Sequence, residues 1–302
     1  MRFEFFGLRP AGRGGPVFLK ENTMYDVKSL HWSFNHNRNG QEEFGERLWE
    51  AIRSYTRGSK ANKRTVHQRC TYDILPNFWR GYNRGSDTAP RTRGLGIGQV
   101  MIERNLNDAG DWQYSVHSIN TTSGEDLRID FCCKDNTRRT ICDEWRIEAE
   151  NAAGHLHKRF SCTGRLKSTS KSSQEIRLSA GNLIFTAGRH EGDMPLTTNW
   201  TLFDVIPLLD AEKKGIGSSV EIALLEDMEK LKSPVYIGLL ESIELGVAGD
   251  QGDTIQLTGY YLYGTGVVPS YWWVDTNSNV VIVSTTFQTL VLRDARNKGG
   301  VK

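Results

Sequence analysis

The sequence predicts a mainly β protein with some α structure: a curved antiparallel sheet covered by two helices, behind a basic and partly disordered N-terminal segment. Three observations carry this reading. After Gly94, short segments of alternating apolar and polar residues recur between turn-forming residues such as Asn107, Gly110, Gly124, Gly154 and Gly181. That is the rhythm of a meander that curls into a barrel or sandwich. Two segments, 199–209 and 219–231, break the rhythm with apolar residues at helical spacing. Finally, the net charge of +2 joins two unlike pieces. Residues 1–93 carry 17 Lys and Arg against 9 Asp and Glu, a net of +8, and residues 94–302 carry 21 against 27, a net of −6.

Composition bounds the answer further. A chain of 302 residues can bury a sizeable core without disulfide or metal staples. With 38% hydrophobic and 25% charged residues it is neither wholly disordered nor fibrous. Its longest apolar runs, 205–209 and 280–283, are too short to span a bilayer, so no integral membrane span is expected.

Taken in order, residues 1–93 read as a basic leader in which Arg outnumbers Lys 13 to 4. One amphipathic helix is predicted over about 41–57, where Phe44, Leu48, Ile52 and Tyr55 form a single stripe. Glu42, Glu43 and Glu46 at its start and Arg53 and Arg57 at its end suit the helix dipole, and Gly58 is a natural stop. The remainder of the leader reads as loop or disorder.

The second domain, 94–302, reads as antiparallel β with a helical insertion at about 199–231. Strands are predicted over 97–105, 112–120, 126–133, 144–150, 155–163, 174–178 and 182–186, and again over 235–240, 254–263, 271–275, 280–285 and 287–293. In the first inserted helix Trp200, Phe203 and Ile206 are the apolar positions, Thr198 or Asn199 the cap, and Pro207 a stop or kink. Ile222, Leu225 and Met228 mark one side of the second.

Few residues carry chemistry. If 151–154 forms a four-residue loop, Glu150 opposes His155 and Glu148 opposes His157, putting two carboxylates and two imidazoles on one face. Such ligands suit zinc or another transition metal, and the same letters also describe a solvated sheet face. The glycines of 94–98 precede a strand and no helix, which excludes a phosphate loop. The run 275–279 lacks the glycine and the acidic residue of a calcium loop, as Val280 and Thr286 stand at those positions. The five cysteines, Cys70, Cys132, Cys133, Cys142 and Cys162, match no zinc or redox spacing and read as structural thiols. Adjacent strand residues Cys132 and Cys133 should point to opposite faces, and a Cys142–Cys162 disulfide is reserved for an exported protein. No nucleophile elbow or zinc-protease motif occurs; the chain reads as non-catalytic, with no cofactor implied.

Aromatic residues are more telling. Tyr260, Tyr261 and Tyr263 fall on one predicted strand and Tyr271, Trp272 and Trp273 on the next. Two accounts fit: a core covered by the two helices, or an apolar pocket that the helices lid. The pocket reading assigns Trp200 and Phe203 to the lid and Tyr261, Tyr263 and Trp273 to the sheet. In the leader, 14 of the 30 aromatics interleave with Arg, which suits single-stranded nucleic acid, although the acidic remainder opposes a polyanion.

The strand at 98–103 and the Trp272-Trp273-Val274-Asp275 hairpin leading to Asn279 and the Val280–Val283 run give a weak resemblance, over about 94–293, to the periplasmic lipoprotein-carrier-like class and to uncharacterised envelope proteins of that plan. The resemblance implies an unclosed, barrel-like sheet holding an apolar or lipid-like ligand, and a periplasmic or envelope location. No functional residue carries over from it. Glycine and proline after Pro10 break any signal-peptide core, so the location rests on resemblance alone.

Overall fold

Alternation of apolar and polar residues makes each strand bury one face, and a long antiparallel sheet satisfies this by curling its apolar face inward. The computed structural model describes residues 67–76, 97–121, 124–151, 158–170, 172–210, 219–246, 254–285 and 288–297; the helix expected over 41–57 lies outside them. In chain order the elements are β1 (Gln68–Pro76), β2 (Gly98–Leu106), β3 (Trp112–Asn120), β4 (Glu125–Cys133), β5 (Ile141–Asn151), β6 (Lys158–Ser170), β7 (Ser173–Ala180) and β8 (Leu183–Glu191). They continue with β9 (Leu196–Thr198), α1 (Leu202–Asp210), β10 (Ser219–Glu226), β11 (Lys230–Gly246), β12 (Thr254–Gly264), β13 (Ser270–Asp275), β14 (Val280–Ser284) and β15 (Gln288–Asn297).

All fifteen strands belong to one sheet, in the order β8-β7-β6-β5-β4-β3-β2-β1-β15-β14-β13-β12-β11-β10-β9. Neighbours are antiparallel except β9, which runs parallel to β10. The sheet curls until β11 meets β8, where Leu231 packs on Gly188; a Cβ there would lie 2.9 Å from that of Leu231. The result is a nearly closed barrel.

This corrects the expected fold class. A single short helix is present among the described residues, and two helices do not cover the sheet. Residues 219–231 form β10, a tight turn and the start of β11. Ile222, Ala223, Leu224 and Leu225 are all buried, so both faces of β10 meet other atoms. A short apolar run of this kind has no period-two alternation to separate it from a helix. Asp227 and Met228, at φ 49° and 60°, reverse the chain in the left-handed region. The helix at 199–209 is present as Leu202–Asp210, and it continues through Pro207. Thr201 opens it, with its carbonyl accepting from Val205 N at 2.9 Å.

The leader also supplies a strand. β1 lies between β2 and β15, pairing with β2 over Gln68–Ile74 and with β15 from Gln68↔Asn297 to Pro76↔Gln288. Opposite it in chain position, β14 is buried along its whole length, on both faces, as its unbroken Val-Val-Ile-Val run suggests.

The β5–β6 register differs from the hand-built hairpin. Glu150 opposes Arg159 and Glu148 opposes Ser161, a shift of four residues, because the connection is longer than four residues. Trp145 therefore faces Gly164, and a Cβ on Gly164 would lie 1.9 Å from its ring. The Trp145 indole N–H donates to Met228 O at 3.0 Å, fastening the β10–β11 turn to the barrel wall.

Candidate functional site

Two features of the barrel have chemical content: a buried polar cluster that anchors α1 in the lumen, and an apolar mouth at the other end. Phe203 of α1 meets Tyr72 of β1 (ring centroids 4.8 Å apart) and Trp272 of β13 (5.0 Å, edge to face). The next residue, Asp204, is buried with Arg104 of β2, and the two form an ion pair. Tyr114 OH donates to Asp204 Oδ2 at 2.5 Å. Arg104 Nη2 donates to Gln68 Oε1 at 2.5 Å, and Gln68 Nε2 to Asn279 Oδ1 at 3.2 Å. Asn279 Nδ2 donates in turn to Asp275 Oδ2 at 3.3 Å. The chain of bonds thus ties the plug helix to β1, β2, β3 and the β13–β14 turn.

Burial pulls the Arg104 pKa down, but the neighbouring Asp204 carboxylate outweighs it and the net shift is upward. Tyr114 is pushed well above the usual phenol range by burial and by the same carboxylate. A narrow cavity of about 20 Å³ adjoins the cluster, lined among others by Cys70, Tyr72, Ile102, Phe203 and Val280. That is room for one water.

At the opposite end the concave face opens. The exposed large hydrophobics among the described residues are Ile119, Phe160, Leu183, Ile184, Phe185 and Val268. Ile119 is next to last in β3, Phe160 third in β6, Leu183–Phe185 the first three of β8, and Val268 lies in the β12–β13 connection. Phe160, Leu183 and Phe185 lie at the same end of strands β6 and β8, away from Arg104 and Asp204, whereas Ile119, Ile184 and Val268 lie elsewhere on the surface. Ala149↔Phe160, Leu178↔Phe185 and Ala180↔Leu183 put Phe160, Leu183 and Phe185 on the concave face. On the outer side of the same strands, reaching Ala149 and Phe160 at its edge, is a depression of about 360 Å³ whose remaining lining is Asp126, Arg128, Glu148, Glu150, Arg159 and Ser161.

The pocket residues expected from sequence do not converge. Phe203 is inside the barrel, and Trp200 is also buried, with no hydrogen-bond partner for its indole N–H. Trp272 pairs with Tyr260 on the inner face, so Trp273, paired with Gly259, faces outward with Tyr261 and Tyr263. Tyr261 and Tyr263 stack at 5.0 Å, Tyr263 stacks on Tyr236 at 5.3 Å, and Tyr261 lies over Gly238. These outward rings satisfy one another; the helix contacts Tyr72 and Trp272 instead.

Of the residues expected to hold a metal, Glu148 and Glu150 are on the outer face, where Glu148 pairs with Arg146 and Glu150 with Arg159 at 3.4 Å. His155 and His157 lie outside the described residues. No group of three or more His, Cys, Asp or Glu able to hold a metal occurs among the described residues.

The sequence reading missed Arg104, Tyr114 and Asp204. The available signal was a charge at an inward position of an apolar pattern, twice and with opposite signs: Arg104 after Val100 and Ile102, and Asp204 between Phe203 and Val205. It missed the mouth because exposure of Leu183 and Phe185 follows from sheet closure, which strand patterning does not encode.

No family model matches the chain, and no curated protein matches it. Among solved structures it is similar to the beta-barrel-like protein of domain of unknown function DUF1849 from Brucella abortus, at 11% identity and a TM-score of 0.47, over 79% of this chain and 100% of that one. It is also similar to a DUF1089 family protein from Pseudomonas aeruginosa, at 10% identity and a TM-score of 0.31, over 60% of this chain and 87% of that one.

Proposed function

We propose that this is a non-catalytic β-barrel protein that takes an apolar or lipid-like ligand at its open end. The observation that supports this reading is that Phe160, Leu183 and Phe185 are exposed together on the concave face at one end of β6 and β8. Scattered single apolar residues are ordinary on a protein surface, whereas a contiguous patch marks a binding surface. The lumen beyond is closed by Phe203 and the Arg104–Asp204 pair, so the ligand rests in the mouth and does not thread the barrel.

Native mass spectrometry of the full chain mixed with a long-chain fatty acid tests the reading. A one-to-one adduct that weakens on Phe160→Ser or Phe185→Ser is expected. No adduct, or one indifferent to both changes, overturns it.

A further inference from the structure

The β4–β5 hairpin carries two thiols that the barrel places together. Cys133 pairs with Ile141 and Phe131 with Trp145, so the irregularity between them leaves Cys132 opposite Cys142 and its two followers. Cys133 and Ile141 are buried on the lumen side, and Cys132 and Cys142 are both half-buried. The latter two therefore share the outer face. They also share their surroundings: the Lys134–Asp111 ion pair, at 3.0 Å, acts on both thiols, and Cys142 senses Cys132 directly. Both adjoin the registered pair Cys133↔Ile141; on an unbroken ladder such neighbours have Cα atoms about 4.5–5.5 Å apart, and the range of about 4.4–6.8 Å that a disulfide spans leaves room for the displacement the irregularity adds.

We propose that Cys132 and Cys142 are a thiol-oxidation site that closes to a cross-strand disulfide in the presence of a low-molecular-weight disulfide. The thiolate of one cysteine attacks a sulfur of the small disulfide, forming a mixed disulfide and expelling one small thiolate. The thiolate of the other then attacks the protein-side sulfur, forming the Cys132–Cys142 bond and expelling the second thiolate. The two protein thiols are oxidised, the small disulfide is reduced to two thiols, and both protons go to solvent or to the departing thiolates. Burial raises the thiol pKa of both residues, so exchange speeds up as the pH rises toward their ionisation. Cys133, fully buried and raised well above the ordinary thiol range, stays out of the reaction. Cys162 is no partner for Cys142: it pairs with Ile147, five residues along β5, about 17 Å away at the strand rise.

The test uses the folded full-length protein treated with oxidised glutathione, then alkylated under denaturing conditions and mapped by mass spectrometry. A peptide linking Cys132 to Cys142, with the mass loss of two hydrogens, is expected, while Cys133 and Cys162 remain alkylated. Cys132→Ser and Cys142→Ser should each leave the remaining member carrying one glutathione. Stable glutathione adducts on both cysteines of the unaltered protein, a link to any other cysteine, or no oxidation of either would overturn the proposal.

Discussion

The two ends of the barrel solve opposite problems. At the plugged end, the described connections 107–111, 134–140 and 276–279 are built mainly from Asn, Asp, Thr, Arg and Ser, and the charges of Arg104 and Asp204 turn inward to hold α1. At the open end, apolar side chains stay in contact with water and the charges flank them. A protein selected only for stability would bury Phe185 and solvate Arg104. The contrast is between charge buried at one end and apolar surface left exposed at the other.

The sharpest way to break this contrast is to remove one partner of the buried ion pair. Asp204→Leu leaves Arg104 buried without a counter-charge and is expected to cost about 3–5 kcal/mol in urea unfolding. The double change Arg104→Met with Asp204→Leu removes both charges and should recover most of that loss. Equal destabilisation by the single and the double change would show that the helix is not held by this pair.

Tyr114→Phe removes the hydroxyl that donates to Asp204, at an expected cost of about 1.5–3 kcal/mol. It also changes the pH profile. Tyr114 is raised in the folded state, so above about pH 10 the unfolded chain releases a proton that the folded chain keeps. Stability is therefore fully present below that pH and falls as pH rises, by at most about 1.4 kcal/mol per unit from this group. The Phe variant should show a shallower fall between about pH 10 and 12, leaving what Cys133, raised in the same direction, contributes. Parallel profiles for the two proteins would remove Tyr114 from the titrating groups.

Between the ends, Gly164→Ala tests the wall itself. The added methyl meets the Trp145 ring, and relieving it costs the bond to Met228 O; an expected loss of about 1–3 kcal/mol is readable by thermal unfolding. The smallest effect belongs to the mouth. Leu183→Ser should alter stability by no more than about 0.5 kcal/mol, because its side chain is largely solvated, and Phe185→Ser, whose ring is about half covered, by somewhat more. A large loss at either would mean that the mouth is packed and unavailable to a ligand.

Much of the sheet was legible before its shape was known. Strands from β2 to β8 and from β12 to β15 announced themselves through alternation and turn residues, since both signals are local. The sheet's closure was not legible. β10 lacked alternation because both of its faces are buried, and β1 sat in a stretch whose Arg, Gly and Asn content read as leader. Among expected site residues, Phe203 lies in the lumen, and Tyr261, Tyr263 and Trp273 lie on the outer face of the sheet. Two adjacent aromatics on a strand always divide between its faces, and only the helix contacts decide which member of the Trp272–Trp273 pair turns inward.

The position of β1 has a consequence for how the chain is made. Its partner β15 lies more than two hundred residues downstream, so the seam from Gln68↔Asn297 to Pro76↔Gln288 forms only after nearly the whole chain has left the ribosome. Until then β1 and β14 present unpaired edges, open to pairing with another nascent chain. A shortened protein starting at Gly94 would carry those edges permanently, on β2 and β15, and should aggregate even though every remaining strand is intact.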